Sequence, residues 1–372
     1  MKKENTRRGF IQKVMAMSSL SLFSSNTLFS MNRADTNSII TKRPLGFQWQ
    51  TQDPFLFCVH HEDFYPRGNS NLGPAASLDG RHLGQDFVVK DGWRMYHGTK
   101  VPGFPGHPHR GFETITVVRK GMVDHSDSMG ASGRYGDGDV QWMTAGKGVQ
   151  HSEMFPLLNE ESDNPLELFQ IWLNLPKASK MVEPHFKMFW NNEIPKRAFG
   201  SDSDNKVHIE VLAGELREDK APVAPPDSWA AKKENEVMIL NIRMEANSAW
   251  TLPAASSGLN RSLYFYSGNG LSLNNEQLDH YHAADVLSEH EIVLKAGDQD
   301  CHILVLQGKP INEPVVQHGP FVMNSKEEIQ QTFADYQQTK FGGWPWPSFD
   351  HTHNREEGRF AKHADGTIVR PS

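Results

Sequence analysis

Cysteine is nearly missing from this 372-residue chain, which has two, Cys58 and Cys301. That scarcity excludes a disulfide-stapled miniprotein and a thiolate-built metal site. Each sits in an apolar run, Phe55-Leu-Phe-Cys-Val59 and Cys301-His-Ile-Leu-Val305, the usual setting of a buried free thiol. Whether the two pair is left open by sequence. Positive charge is short as well. The 38 Lys and Arg face 45 Asp and Glu, a net charge of −7, without the basic excess that nucleic-acid binding uses. Mean hydropathy is −0.57 and no apolar stretch is long enough for an ordinary membrane span. What abounds is turn punctuation: 30 glycines and 22 prolines, as in a β-rich protein. The length allows two domains with their own cores.

The motif that stands out is His107-Pro108-His109, followed further along by His151-Ser152-Glu153. Side chains alternate along a strand, so residues i and i+2 share a face. Each pair can therefore aim at one point, from two neighbouring strands. Nitrogen and oxygen donors without sulfur suit a borderline transition ion such as iron, manganese, copper, nickel or zinc. The setting supports this. Thr114-Ile-Thr-Val-Val118 reads as a strand, Gly121 and Gly136-Asp-Gly-Asp139 as turns, and Val140-Gln-Trp-Met-Thr144 as another strand. Gly146-Lys-Gly148 then breaks the chain ahead of His151, which predicts an antiparallel barrel. Two further pairs, His280/His282 and His351/His353, lack a following H-x-E and read as surface or loop histidines.

Glu113, four residues after His109, competes for the carboxylate role. Were both glutamates to reach the ion, little room would remain for substrate. The residues favour Glu153 as the ligand and Glu113 as a carboxylate behind it that orients an imidazole; a ligand role for Glu113 stays open. Phe104, Phe112, Trp142, Met143 and Met154 are candidates for an aromatic, apolar rim, and Arg110 for a pair with Glu113 or an anionic substrate.

Along the chain, Thr6-Arg7-Arg8-Gly9-Phe10-Ile11, preceded by Lys2 and Lys3, matches the twin-arginine export pattern. A short, weakly apolar stretch from Val14 to Phe23 follows. Residues 1–32 are accordingly set apart as a signal segment, which predicts a periplasmic protein exported already folded and metal-loaded. Residues 33–46 read as a loose stretch, 47–180 as a metal-binding barrel and 181–206 as a linker. The first pattern then returns, degraded, in 207–322, where Ser262-Leu-Tyr-Phe-Tyr-Ser-Gly268 and Cys301-His-Ile-Leu-Val305 carry no ligands at the matching positions. An exposed loop is expected at 215–234. The last region, 323–372, opens with Ser325-Lys-Glu-Glu328, a capping-box signature, and puts Ile329, Phe333 and Tyr336 on one helix face. Trp344, Trp346 and Phe349 in the tail are expected to pack back on the body.

His107-Pro-His-Arg-Gly-Phe-Glu-Thr114, Gly138-Asp-Val-Gln-Trp-Met-Thr-Ala-Gly-Lys-Gly148 and His151-Ser-Glu-Met154 closely resemble pirin, a branch of the cupin superfamily. Leu168-Phe-Gln-Ile-Trp-Leu-Asn-Leu-Pro176, Met181-Val-Glu-Pro184 and Gln317-His-Gly-Pro-Phe-Val-Met-Asn324 extend the resemblance in consistent order. It implies an all-β fold of two tandem cupin barrels (double-stranded β-helix, or jelly roll) with a short C-terminal helix. It also implies one divalent ion, held by His107, His109, His151 and Glu153 in the N-terminal barrel alone. Iron(II) is the expected ion, with Mn, Cu, Ni, Co or Zn as alternatives. The activity implied is quercetin 2,3-dioxygenase, in which a flavonol is opened with O2 and CO is released, Glu153 taking the substrate's proton. The alternatives are a non-catalytic, metal-dependent binding or redox-sensing protein, and a metal-dependent isomerase or lyase. No nucleic-acid partner is expected, and no protein partner is identified.

Overall fold

Runs rich in valine, isoleucine, threonine and aromatics, cut by glycine turns, form strands that pair antiparallel. The computed structural model describes residues 38–200 and 205–372; the twin-arginine pattern lies outside the described residues. In chain order the first strands are β1 (Ile39–Pro44), β2 (Gln48–Trp49), β3 (Phe55–Tyr65), β4 (Gly103–His109), β5 (Phe112–Lys120), β6 (Met122–Asp127) and β7 (Ser132–Gly136). Then come β8 (Val140–Thr144), β9 (Val149–Met154), β10 (Asn164–Asn174), β11 (His185–Phe189), β12 (Lys196–Phe199) and β13 (Val207–Ala213). A small hairpin, β14 (Glu215–Leu216) and β15 (Asp219–Lys220), leads to β16 (Met238–Met244), β17 (Ala249–Leu252), β18 (Asn260–Ser267), β19 (Ser272–Leu273) and β20 (Glu276–Gln277). The series closes with β21 (His282–Leu287), β22 (Ile292–Lys295), β23 (Cys301–Gly308), β24 (Val316–His318), β25 (Phe321–Met323), helix α1 (Lys326–Thr339), β26 (Phe360–Lys362) and β27 (Ile368–Val369).

The expected pair of cupin barrels is what forms. The first barrel is a sandwich of two six-stranded sheets, ordered β11-β8-β5-β10-β3-β2 and β27-β26-β7-β6-β9-β4. The second packs the seven-stranded sheet β1-β21-β18-β23-β16-β13-β12 on the four-stranded sheet β17-β22-β19-β20. Its interior is filled by apolar side chains, among them Trp250 and Leu252 from β17 and Ile292 and Leu294 from β22.

Each end of the described chain completes the other barrel. β1 adds to β21 in the second barrel, and β26 adds to β7 in the first. The reading of 33–46 as loose is corrected for residues 39–44. Buried Ile39 and the backbone of this polar stretch cap the open edge of β21. The linker of 181–206 is corrected likewise, since β11 pairs with β8 and β12 with β13. Part of the insertion at 215–234 is not exposed either: Ala224 and Ser228 are buried.

Between the barrels, apolar faces of the sheet β11-β8-β5-β10-β3-β2 and of the seven-stranded sheet meet. Trp49 is 1 % exposed and stacks on Tyr264 at 5.3 Å between ring centroids, with Ile115, Val117, Trp142, Phe169 and Leu304 around it. Cys58 lies in this shared core and Cys301 in the second barrel's core, both as free thiols. Ser325 caps α1 with the expected box, accepting from the Glu328 N–H while the Glu328 carboxylate accepts from the Ser325 N–H. Arg110 joins this helix to the first barrel through Asp335 at 2.7 Å and the Lys147 carbonyl at 2.6 Å. Its role is thus structural, and it pairs with neither Glu113 nor an open site.

Candidate metal centre

The centre is built where β4 pairs with β9. Their register sets His107 opposite His151 and Phe104 opposite Glu153, with a register shift in β4 between Phe104 and His107. His107, His109 and His151 each offer a ring nitrogen, and these atoms lie within 4.8 Å of one another. Ring centroids are 4.5 Å apart for His107 and His151 and 4.7 Å for His107 and His109. Nδ1 of His107 lies 3.0 Å from the Pro105 carbonyl, to which it donates, leaving Nε2 with a lone pair. His109 and His151 are buried, and their ring nitrogens have no hydrogen-bond partner among the described residues. Unpaired buried nitrogens are rare because desolvating them is unfavourable, and a metal ion is a natural partner for such a group. The donor set therefore fits an ion.

Protonation agrees. Burial, reinforced by neighbouring imidazoles, holds His109 and His151 well below the ordinary histidine value and His107 at about 4. At neutral pH all three present lone pairs. Glu153 is buried on the same face as His151, with Oε2 at 3.8 Å from the His151 Nε2. Thr116 donates to its Oε1 at 2.8 Å and Gln170 to its Oε2 at 2.7 Å. Burial raises its proton affinity, against the lowering effect of these two hydrogen bonds. The three histidines are thus brought together, and Glu153 lies beside His151 with its carboxylate tethered by Thr116 and Gln170. His107 alone of the four is half-buried, so solvent approaches from its side.

Glu113 is not behind a ligating imidazole. Along β5, Thr114 and Thr116 face the centre, whereas Glu113, Ile115 and Val117 face the second barrel. Gly111, at φ +86°, separates His109 from this strand and breaks the alternation that would have put Glu113 beside it. Its carboxylate accepts from Thr144 at 2.6 Å and from Ser228 at 2.5 Å. Trp142 also faces the second barrel, and Met154 packs outward on Leu72 and Val101. Of the expected rim, Phe104 lies 6.4 Å from His107 and Phe112 5.1 Å from His109, between ring centroids.

Two neighbours were missed. Trp172 packs against Phe112 with its ring tilted by 31° and reaches the His109 ring at 5.4 Å. His125 on β6 lies opposite Glu153, and its ring is 5.4 Å from that of His151. Its Nε2 is 3.2 Å from Asp127 and it stacks on Phe186. The signal for it was present, since His125-Ser126-Asp127 repeats the His-Ser-carboxylate pattern of the ligand strand.

Comparison with known proteins follows the same division. Residues 73–173 match the pirin family model, and residues 239–342 match the pirin C-terminal cupin domain. Pirin-1 of Arabidopsis thaliana is 38% identical over 245 residues, covering 64% of this chain and 78% of its own length. Human pirin is 34% identical over 254 residues, covering 66% of this chain and 80% of its own. The crystal structure of a quercetin 2,3-dioxygenase from Acinetobacter baumannii superposes with a TM-score of 0.64 at 26% identity, over 82% of this chain and 98% of that one. With a filled second barrel, a histidine triad in the first and relatives aligned across both, the chain belongs to the pirin family.

Proposed function

We propose that this protein is a mononuclear metalloenzyme of the quercetin 2,3-dioxygenase type, with iron(II) as its ion and His107, His109, His151 and Glu153 as ligands. The observation that carries the reading is the convergence of three imidazoles, His109 and His151 buried and His107 half-buried, with a tethered carboxylate beside His151. The similarity to the A. baumannii quercetin 2,3-dioxygenase supports the substrate class. A bound ion would supply Lewis-acid and one-electron chemistry for substrate and dioxygen. The protein's own groups do the rest. Burial raises the affinity of Glu153 for a proton, so its free lone pairs can take the acidic flavonol hydroxyl proton while Thr116 and Gln170 hold the carboxylate in place. Phe104, Phe112 and Trp172 offer ring faces and edges to a planar substrate and keep bulk water away.

The test is oxygen uptake by iron-loaded protein given quercetin, with CO detection and the His151→Ala variant as blank. Oxygen consumed and CO released by the wild type alone is the expected result. No uptake with stoichiometric metal in place overturns catalysis. A second reading, metal-dependent binding without turnover, is favoured by the C-terminal tail, which lies on β4 beside the half-buried His107 through the Gly106 N–H bond to the Phe349 carbonyl at 2.7 Å. We also propose that the twin-arginine pattern directs export to the periplasm. Cell fractionation of a variant with Arg7 and Arg8 both changed to Lys tests this, with retention in the cytoplasm expected.

A further inference from the structure

A second site lies away from the metal centre. A cavity of about 1000 Å³ opens at the seam between the barrels, under the β14–β15 hairpin and the segment after it. Trp142 of the first barrel forms part of its wall, with Ala213, Val237, Met238 and Pro253 making other apolar parts. Arg261 and Gln307 line it too. They sit opposite each other on β18 and β23, in rows whose other members fill the second barrel.

Arg261 is the anomaly. It is 1 % exposed, and its partners are neutral: Nε donates to the Gln307 Oε1 at 2.7 Å and Nη1 to the Pro253 carbonyl at 3.0 Å. Its Nη2 makes no hydrogen bond among the described residues, and no carboxylate comes within ion-pair distance. Glu236 and Glu289 are near enough to favour the charged form, yet burial outweighs them and lowers the guanidinium to about 10. Among the described residues, the other arginines of comparable burial, Arg81, Arg94, Arg110 and Arg134, each hold an aspartate. A buried charge without a counter-charge is unfavourable, and the planar fork of arginine matches a carboxylate. The charged lining also includes Arg217 and Lys232, neither in an ion pair among the described residues, Lys220 and Lys233 paired with Glu215, and the carboxylates of Glu234 and Glu236, five cations to three anions with Arg261 counted.

We propose that this cavity binds a small organic carboxylate, its charged end on Arg261 and its apolar body along the alanine- and proline-lined wall. The site is independent of the metal centre and of the dioxygenase reading.

The experiment is calorimetric titration of the full, metal-loaded chain with 2-naphthoate and with its neutral isostere 2-naphthamide. The expected result is one naphthoate per chain, with the amide at least about tenfold weaker, the scale of a hydrogen bond to a charged group. Arg261→Met should weaken naphthoate by a similar factor; replacing a buried charge with an apolar group of similar length is compatible with folding. Ala221→Trp fills the cavity without touching the charge and should abolish binding, so a misfolded Arg261 variant leaves the test intact. Equal affinity for acid and amide overturns the proposal, as does binding unchanged by Ala221→Trp. Naphthoate lost in His151→Ala would place the ligand at the metal and overturn it as well. Sulfate binding as tightly as naphthoate would overturn the apolar half of the assignment.

Discussion

Glu113 offers the sharpest quantitative test, because its environment is fully specified. The side chain is 0 % exposed, wedged between the barrels with hydroxyls of Thr144 and Ser228 on its two oxygens. Burial raises its pKa from 4.5 to about 7, even though both hydroxyls favour the ionised form. In the unfolded chain the group ionises near 4.5, so between that pH and about 7 the native state holds a proton the unfolded state has released. Stability must then fall as pH rises through this window. The contribution is complete below pH 4.5, lost progressively, and gone above about 7. At about 1.4 kcal/mol per pH unit, the loss across the window is about 3 kcal/mol. The perturbation is Glu113→Gln, which keeps the shape and removes the titration. The assay is urea unfolding of both proteins, in metal-free form, at intervals from pH 4.5 to 8. The buried histidines of the centre act in the opposite sense, because their lowered pKa values remove stability as pH falls below the ordinary histidine value. They are common to both proteins and cancel in the difference. Wild type minus variant should drop by about 3 kcal/mol across the window and stay level beyond it. A difference that stays flat from pH 4.5 to 8 refutes the placement of Glu113 in a dry seam.

Other perturbations test other parts of the molecule. His151→Ala should lose bound metal, read by elemental analysis, while circular dichroism stays that of the wild type; equal metal content in the two proteins refutes the ligand assignment. Trp49→Ala removes a fully buried ring from between the barrels and should cost about 3–5 kcal/mol in urea unfolding, against less than about 1 kcal/mol if the barrels do not depend on each other. Gly106→Val puts carbon atoms into the space of the Phe349 ring and should free the tail to limited proteolysis, at a cost of about 1–3 kcal/mol. Pairing it with Phe349→Ala should recover much of that cost.

The histidine cluster was legible because strand geometry is simple: i, i+2 residues on paired antiparallel strands share a face, and His107, His109 and His151 converge from β4 and β9 with Glu153 beside them. Glu113 was misplaced because β5 is buried on both faces. Thr114 and Thr116 look inward while Ile115 and Val117 look to the other barrel, so no polar–apolar alternation marks the face. Trp142 was misjudged for the same reason. The edge strands β1, β11 and β12 escaped notice because edges carry polar and exposed residues, such as Ile40 at 60 % exposure, and read like linkers. Arg261 gave no sign, since its unusual state is burial against neutral partners, which depends on how β18, β23 and Pro253 come together in the fold. The degraded repeat was readable because its strands kept their apolar runs where the histidines were gone.

The exchange of end strands gives the molecule an order of events. β7 is synthesised well before β26, so until β26 and β27 follow it β7 carries a bare edge, and the sheet that holds the histidine triad lacks two of its six strands. In the other direction, β1 is made first and must wait for β21, more than 200 residues later in the chain, before its hydrogen bonds have partners. Neither half can finish alone. Cleaving the backbone between the barrels should therefore leave two pieces that stay together until β1 and β26 are peeled from their sheet edges.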